Sequence, residues 1–300
     1  MATILVSGLL NTETTARVRG FPVNYYPIDY PFFGVVMGSS GGALNLAKAM
    51  TALGDKVRLC SLVGRDPAAR LIREELQGCG ISTENILPGL EQTPASAVLY
   101  DGDGKRQIYC DLKDIQETPY PFSPALLEGA DAVAACNIGF NRPLLQLARD
   151  AGKLIATDVH VLTDPEDDYN REFMEAADIL FLSDEGIRGR EREFLLALAE
   201  RYHHRILVLG RGADGALLYL PREGQWIQRP ASSLGGVVNT VGAGDALFSA
   251  FLHFYLKGLH PAEALDRAQI FAALKIRHSG AASGFSSEAA VEKQLAACQG

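Results

Sequence analysis

Residues 239–258 read NTVGAGDALFSAFLHFYLKG. Gly242, Ala243 and Gly244 are small residues placed just before a run with apolar residues at helical spacing. The backbone N–H groups that open a helix have no intrahelical acceptor and lie at the positive end of its dipole, so they suit an anion. Small side chains let that anion approach the backbone closely. Asp245 then falls in the first helical turn, beside the anion. A carboxylate there can take the proton of an attacking hydroxyl while the amides stabilise charge on a transferring phosphoryl group. The segment alone also admits a plainer reading, a glycine-rich loop with Asp245 as a capping residue.

Working outward, strand-like apolar runs alternate with helical patterns along most of the chain. TILVSGL opens it; ALNLAKAMTALG, VRLCSLVG and AARLIREELQGCG follow as helix, strand and helix. Later come DAVAACNIG, PLLQLARDAG, KLIATDVHV, ADILFLS, EREFLLALAERY and RILVLG, strand and helix in turn. This rhythm predicts an α/β fold with a mostly parallel sheet covered by helices on both faces. The near-continuous apolar strands are what a doubly covered sheet requires. Two segments break the rhythm. Residues 12–36 hold three prolines and many Tyr, Phe and Val residues without helical period, and residues 95–111 read as a hairpin turning at Asp101-Gly102-Asp103-Gly104. A small β lid, inserted at two points of one domain spanning 1–300, accounts for both.

Composition narrows the function. The formal net charge of -8 offers no basic excess for nucleic acid. An acidic chain can still bind a nucleotide where metal ions and backbone amides supply the positive field. MATILVSGLL lacks a basic leader region and a cleavage site, and no run of about 18 apolar residues suggests a membrane span. Five scattered cysteines without CxxC read as free thiols of a cytoplasmic protein.

GAGD followed by an apolar helix resembles the C-terminal signature of the ribokinase-like (PfkB) sugar and nucleoside kinases, and the resemblance extends over essentially the whole chain. Ser40-Gly41-Gly42-Ala43-Leu44-Asn45 is similar to the family's glycine pair and Asn at the head of the first long helix. Gly8 through Glu13 resembles the strand end whose Asn and acidic residue hold substrate hydroxyls. Gly64 and Asp66 echo the Gly-x-Asp after the next strand; Thr93, Asp101, Gly104 and Arg106 match the lid hairpin. Val208 to Tyr219 looks like the strand–turn–strand beside the nucleotide, and Ser279 to Ala282 like the loop lining the adenine and cation region.

The resemblance implies a three-layer α/β/α kinase with a β lid. In it ATP supplies the γ-phosphoryl to a sugar-like hydroxyl, Asp245 is the base and the Gly242, Ala243 and Gly244 amides hold developing charge. It places substrate near Asn11, Glu13, Gly41, Gly42 and Asn45, and ATP along Gly210, Arg211, Gly212, Gly215 and Gly280. The family's Asn-x-x-Glu, which organises magnesium waters, aligns with Ser183-Asp184-Glu185-Gly186. Asp184 and Glu185 are then the residues to hold Mg2+ through water, since hard cations take oxygen ligands and keep several waters. The signature's leading Asp, which helps hold a monovalent ion in cation-activated members, is Asn239 here, so potassium activation is not implied. Glu13 stands where many members carry Asp. A nucleoside kinase and a catalytically weak sugar or nucleotide sensor are the alternatives on the same fold.

Several motifs compete. Gly210 to Gly215 fits GxGxxG, but ALLYLP reads as a strand where a dinucleotide fold needs a helix. Gly38-Ser39-Ser40-Gly41-Gly42 fits GxSxG, which would make Ser40 a hydrolase nucleophile with Asp158 and His253 or His278 as partners, but the motif falls where Gly42 through Leu53 begin a helix and no oxyanion motif such as HGGG accompanies it. His160 ends a strand where α/β ligands bind, although a satisfied structural histidine is the simpler reading. No GxxxxGK[ST] occurs. Tyr25, Tyr26, Tyr30, Phe32 and Phe33 are read as packing the lid or a lid-to-lid homodimer contact rather than stacking on a base.

Overall fold

The apolar runs do become strands, and they divide between two sheets of unequal size. The computed structural model describes residues 1–102 and 105–299, so Asp103 and Gly104 of the expected hairpin turn lie outside the described residues. In chain order the strands are β1 (Thr3–Ser7), β2 (Asn11–Arg17), β3 (Val35–Ser40), β4 (Lys56–Leu62), β5 (Ile86–Leu87), β6 (Ala95–Tyr100), β7 (Arg106–Asp111), β8 (Ala132–Ala135), β9 (Leu154–Val161), β10 (Ile179–Ser183), β11 (Ile206–Gly210), β12 (Ala216–Leu220) and β13 (Gln225–Arg229). The helices are α1 (Gly42–Leu53), α2 (Pro67–Gly78), α3 (Arg142–Asp150), α4 (Arg171–Ala176), α5 (Glu191–Tyr202), α6 (Ala243–Leu256), α7 (Pro261–Lys275) and α8 (Glu288–Gln299).

The larger sheet runs β13-β12-β11-β10-β9-β8-β1-β4-β5. From β11 to β5 every pairing is parallel, and β12 and β13 close the other edge antiparallel. Parallel strands bring their carboxyl ends to one edge, which is where ligands of open α/β sheets bind. Both faces are covered. Residues of α1, α2, α6, α7 and α8 build one hydrophobic core, and residues of α3, α4 and α5 the other.

Local chemistry fixes the helix ends. Asp66 accepts the Ala69 N–H at 2.9 Å with Pro67 at the first helical position of α2, an N-cap and N1 pair that suit a helix start. His260 and Glu263 form a reciprocal capping box on α7. Helix α6 is held from both sides: Phe181 of β10 meets Phe248 and Phe251 edge-on, with centroids 4.8 and 5.5 Å away. Buried His253 lies 2.7 Å from Asp55, whose other oxygen accepts the Ala2 N–H at 3.0 Å.

The smaller sheet has the order β3-β2-β6-β7 and unites the two segments that broke the sequence rhythm. Its bounds differ from the expectation of 12–36 as one β excursion. The strands are Asn11–Arg17 and Val35–Ser40, while 18–34 holds none. Pro22, Pro27 and Pro31 supply no backbone donor there. The intervening loop is braced instead by Arg19, paired with Asp29 at 2.8 Å and seated over the Tyr26 ring at 4.2 Å. Tyr25, Phe32 and Phe33 are not packed into this sheet; they stand almost fully exposed.

Phe251 is fully buried between the sheet and its helices. Phe251→Ala is expected to lower unfolding free energy by about 3–5 kcal/mol, the cost of a large core truncation. Urea denaturation followed by circular dichroism measures it.

Candidate active site

Gly242 takes φ 77 and precedes the first residue of α6. A Cβ there would stand 2.6 Å from the Ala281 carbonyl oxygen, so both the backbone conformation and the contact demand glycine. Next to it, Gly244 faces open space. The Ala243 N–H is already donated to the Thr240 carbonyl at 3.2 Å. Of the three amides expected to serve an anion, that of Ala243 is therefore committed to the turn itself.

Asp245 lies in the first turn of α6, and its Oδ2 accepts a hydrogen bond from Asn45 Nδ2 at 2.8 Å. Burial pushes its carboxyl above the usual aspartate range, and nearby Asp158 adds to the push; the Asn45 bond, His160 and Lys275 oppose it. A carboxylate raised in this way is a stronger base than a solvated one. Asn45, expected to touch substrate, spends its amide on Asp245, while its buried Oδ1 has no partner among the described residues.

Two hollows meet at this turn. One, of about 480 Å³, lies between the sheets and is lined by Glu13, Thr15, Arg17, Asp101, Arg106, Val237 to Val241 and Gly280. The other, about 730 Å³, follows the carboxyl ends of β9, β10 and β11 past Asp158, His160, Ser183 to Gly186, Gly210, Gly212, Gly215, Ala243, Gly244 and Gln269. Arg106 and Thr240 line both. A small recess containing Gly42, Asp158, His160 and Asp245 lies beside them.

The expected substrate residues gather at the junction of β2, β3 and α1. Glu13 Oε2 accepts from Ser40 Oγ at 3.2 Å, and burial pushes the Glu13 carboxyl upward. Asn11 donates to Ser96 Oγ at 2.6 Å, leaving a buried Oδ1 without a partner among the described residues. Gly41, at φ 113, would drive a Cβ to 2.4 Å from the Leu9 carbonyl and 3.0 Å from that same Asn11 Oδ1.

Three placements differ from expectation. Arg211 does not line the long groove; it borders a separate surface hollow with Arg190, Glu191 and Arg192. Gly280 belongs to the hollow between the sheets rather than to the groove. His160 is no packed structural histidine: its side chain is 58% exposed and its backbone adopts φ 57 on the groove wall. Ser40 bonds Glu13, while His253 is engaged with Asp55 and Glu288, so no serine-hydrolase constellation forms. The GxGxxG stretch makes a short 3₁₀ turn into β12, with no helix for a dinucleotide.

The long groove offers carboxylate oxygens, although Asp184 Oδ2 is paired with Arg188 Nε at 2.9 Å. Among the described residues no three His, Cys, Asp or Glu side chains converge as a metal cage. The carboxylates of Glu185 and Asp184 both line the groove and are oxygen donors of the type a magnesium ion takes. Arg17 and Lys275 escaped the sequence reading. For Arg17 a signal existed: Glu13, Thr15 and Arg17 alternate along β2 and share the cavity-facing side. Lys275 carried none.

The chain matches the family described as pfkB family carbohydrate kinase over residues 1–288. It is 26% identical over 302 residues to the ATP-dependent ribose-1-phosphate kinase of Halopiger xanaduensis, covering 96% of this chain and 97% of that one. The nucleoside kinase of Methanothermobacter thermautotrophicus is 28% identical over 245 residues, 73% of this chain and 72% of that one. Among solved structures, a microbiome-derived acarbose kinase superimposes with a TM-score of 0.86 at 24% identity, covering 99% of both chains. Arabidopsis thaliana ribokinase complexed with ribose and ATP gives 0.82 at 20% identity, covering 98% of both.

The fold is that of the ribokinase-type structures. The chain belongs to the pfkB family of carbohydrate kinases. It is an ATP-dependent enzyme that phosphorylates a hydroxyl of a sugar or sugar-like small molecule. No helix among the described residues is long and apolar enough to cross a membrane.

Proposed function

We propose that the acceptor lies in the hollow between the sheets, that ATP lies along the carboxyl-end groove, and that the phosphoryl group passes between them beside Asp245. The observation that carries this is the meeting of both hollows at the turn before α6, with a carboxylate of raised basicity in its first turn. Asp245 takes the hydroxyl proton as the oxygen attacks, Asn45 holds the carboxylate in place, and the open amide of Gly244 faces charge building on the phosphoryl group. Magnesium, held by Glu185 and Asp184 through water, would supply charge neutralisation on the phosphates. The smaller sheet acts as a lid whose closure keeps out water, the competing acceptor.

The acceptor on this reading is a sugar that carries an anionic group. Arg17 and Arg106 project into the hollow between the sheets, and neither has a salt-bridge partner among the described residues. Guanidinium forks of this kind match phosphate and carboxylate geometry, while Glu13 and Asn11 suit the hydroxyls. The similarity to a ribose-1-phosphate kinase supports the same choice. A nucleoside, the second reading, brings no anionic group for these two arginines to meet.

The exposed face of the lid that carries Val35 and Met37, with Tyr25, Phe32 and Phe33 of the adjoining loop, is the surface a second copy of this chain would cover. An apolar face on a sheet of unpaired outer strands calls for a partner, and a closed two-fold contact is the commonest way to bury one. The five cysteines are free, which suits a reducing cytoplasm.

Asp245→Asn is expected to lower kcat by roughly 10²–10⁴ with ATP binding retained. In the native enzyme Asp245 must be ionised to act, and its pKa is raised. Turnover therefore falls as pH drops through a value above the ordinary aspartate range; ADP release against pH measures both effects. Arg17→Ala with Arg106→Ala is expected to raise KM for phosphorylated or acid sugars roughly tenfold or more, as each lost charged hydrogen bond costs about 1.5–3 kcal/mol. Neutral sugars should be unaffected; kinetics over a panel of both decides. Light scattering should report a dimer that Phe33→Asp converts to monomer.

A further inference from the structure

Lys275, the last residue of α7, is fully buried. Its ammonium donates to the carbonyl of Val241, in the turn before Gly242, and to the carbonyl of Gly280 at 2.8 Å, in the loop after α7. The same two segments touch twice more. The Ile276 carbonyl accepts the N–H groups of Val238 and Asn239 at 2.9 and 3.1 Å, and the Ala281 carbonyl is what excludes a side chain at Gly242. Lys275 thus sits where the anion turn is anchored, although it does not line the long groove.

We propose that Lys275 is a positioning residue: its ammonium is a built-in cation that fixes the 241–244 turn, so that the enzyme needs no free monovalent ion there. Three observations carry this. First, a buried lysine that, among the described residues, donates only to neutral carbonyls is costly, because burying a charge is far more unfavourable than burying an apolar side chain of the same shape. Structure alone would be served as well by methionine; what lysine adds is charge. Second, that charge acts on the site. The ionisable groups that influence Lys275 are Asp245 on α6 and Glu13 on β2, and it in turn opposes the upward push on both carboxyls. Third, the groups that might hold a free ion are spoken for. Asn239 Oδ1 accepts the Val241 N–H at 2.7 Å, and the Val241 and Gly280 carbonyls already accept from the ammonium. Backbone carbonyls that receive an ammonium are the same ligands that replace the hydration shell of a potassium-sized ion.

Burial pushes the Lys275 ammonium down to about 8, against the attraction of Asp245 and Glu13. The sign of its effect then differs between stability and turnover. Since the folded pKa lies below the unfolded one, the unfolded chain binds the proton more tightly. This residue's contribution to stability therefore rises as pH increases from about 8 toward the ordinary lysine value. Turnover should fall over the same interval, as the cation is lost. A purely structural lysine would not separate the two.

The inference rests on the reading of the 242–244 turn as the phosphoryl cradle, and the test distinguishes the two. ADP release by the native enzyme is measured with potassium, sodium and choline as the only monovalent cation. Equal rates are expected; a dependence of tenfold or more on potassium overturns the proposal. Lys275→Met should lower kcat roughly 10²-fold, the scale of one lost charge-stabilising group, with Tm unchanged or raised. Lys275→Ala should regain part of its rate, saturably, with added ammonium or methylammonium. Native-like turnover in the methionine variant, or a folded alanine variant that no cation rescues, overturns it. Should neither variant fold, the native cation series and the opposed pH trends of Tm and turnover still decide. A native enzyme that releases no ADP with any acceptor overturns the kinase reading and this inference with it; the other failures strike this inference alone.

Discussion

The site depends on one tight backbone contact, Gly242 at φ 77 pressed against the carbonyl of Ala281. That contact sets where α6 begins, and the start of α6 sets where Asp245 stands. It works only because two long-range elements hold its sides. Phe181 on the sheet grips α6 through Phe248 and Phe251, and α7 delivers the Ile276 carbonyl and the Lys275 ammonium to the preceding turn. The helix N-terminus provides its amides and dipole for nothing more than being a helix; the surrounding contacts decide what those amides face.

Charge around this turn is balanced rather than accumulated. Asp245 and Glu13 are offset by Lys275, and both carboxyls are raised by burial. A site built this way keeps a basic carboxylate beside an anion cradle without a large local field of either sign. The overall charge of -8 is then no obstacle to a phosphorylated ligand, because the positive groups that meet it are few, local and fixed.

How much was legible beforehand follows the length scale of each feature. The apolar runs announced β1, β4, β8, β9, β10 and β11, since buried parallel strands are written continuously in the sequence. The GAGD turn was legible because a helix start and its glycine are local. Arg211 lines a hollow apart from the long groove, a placement that the sequence of its turn does not reveal. Asn45 was assigned to substrate, yet its partner Asp245 is 200 residues away, a pairing that spacing cannot reveal.

The sequence by itself determined the class of fold, the helix that begins after Gly242 and the identity of the carboxylate in its first turn. Those are consequences of periodicity, glycine conformation and helix dipoles, which act over a few residues. Only the tertiary structure decided the order β3-β2-β6-β7 in which the 12–36 and 95–111 segments pair, that Arg17 and Arg106 face one cavity, and that a lysine at the end of α7 reaches the turn before α6. Each of these depends on which distant segments pack together, and packing is settled by the sum of buried contacts across the chain rather than by any stretch of it.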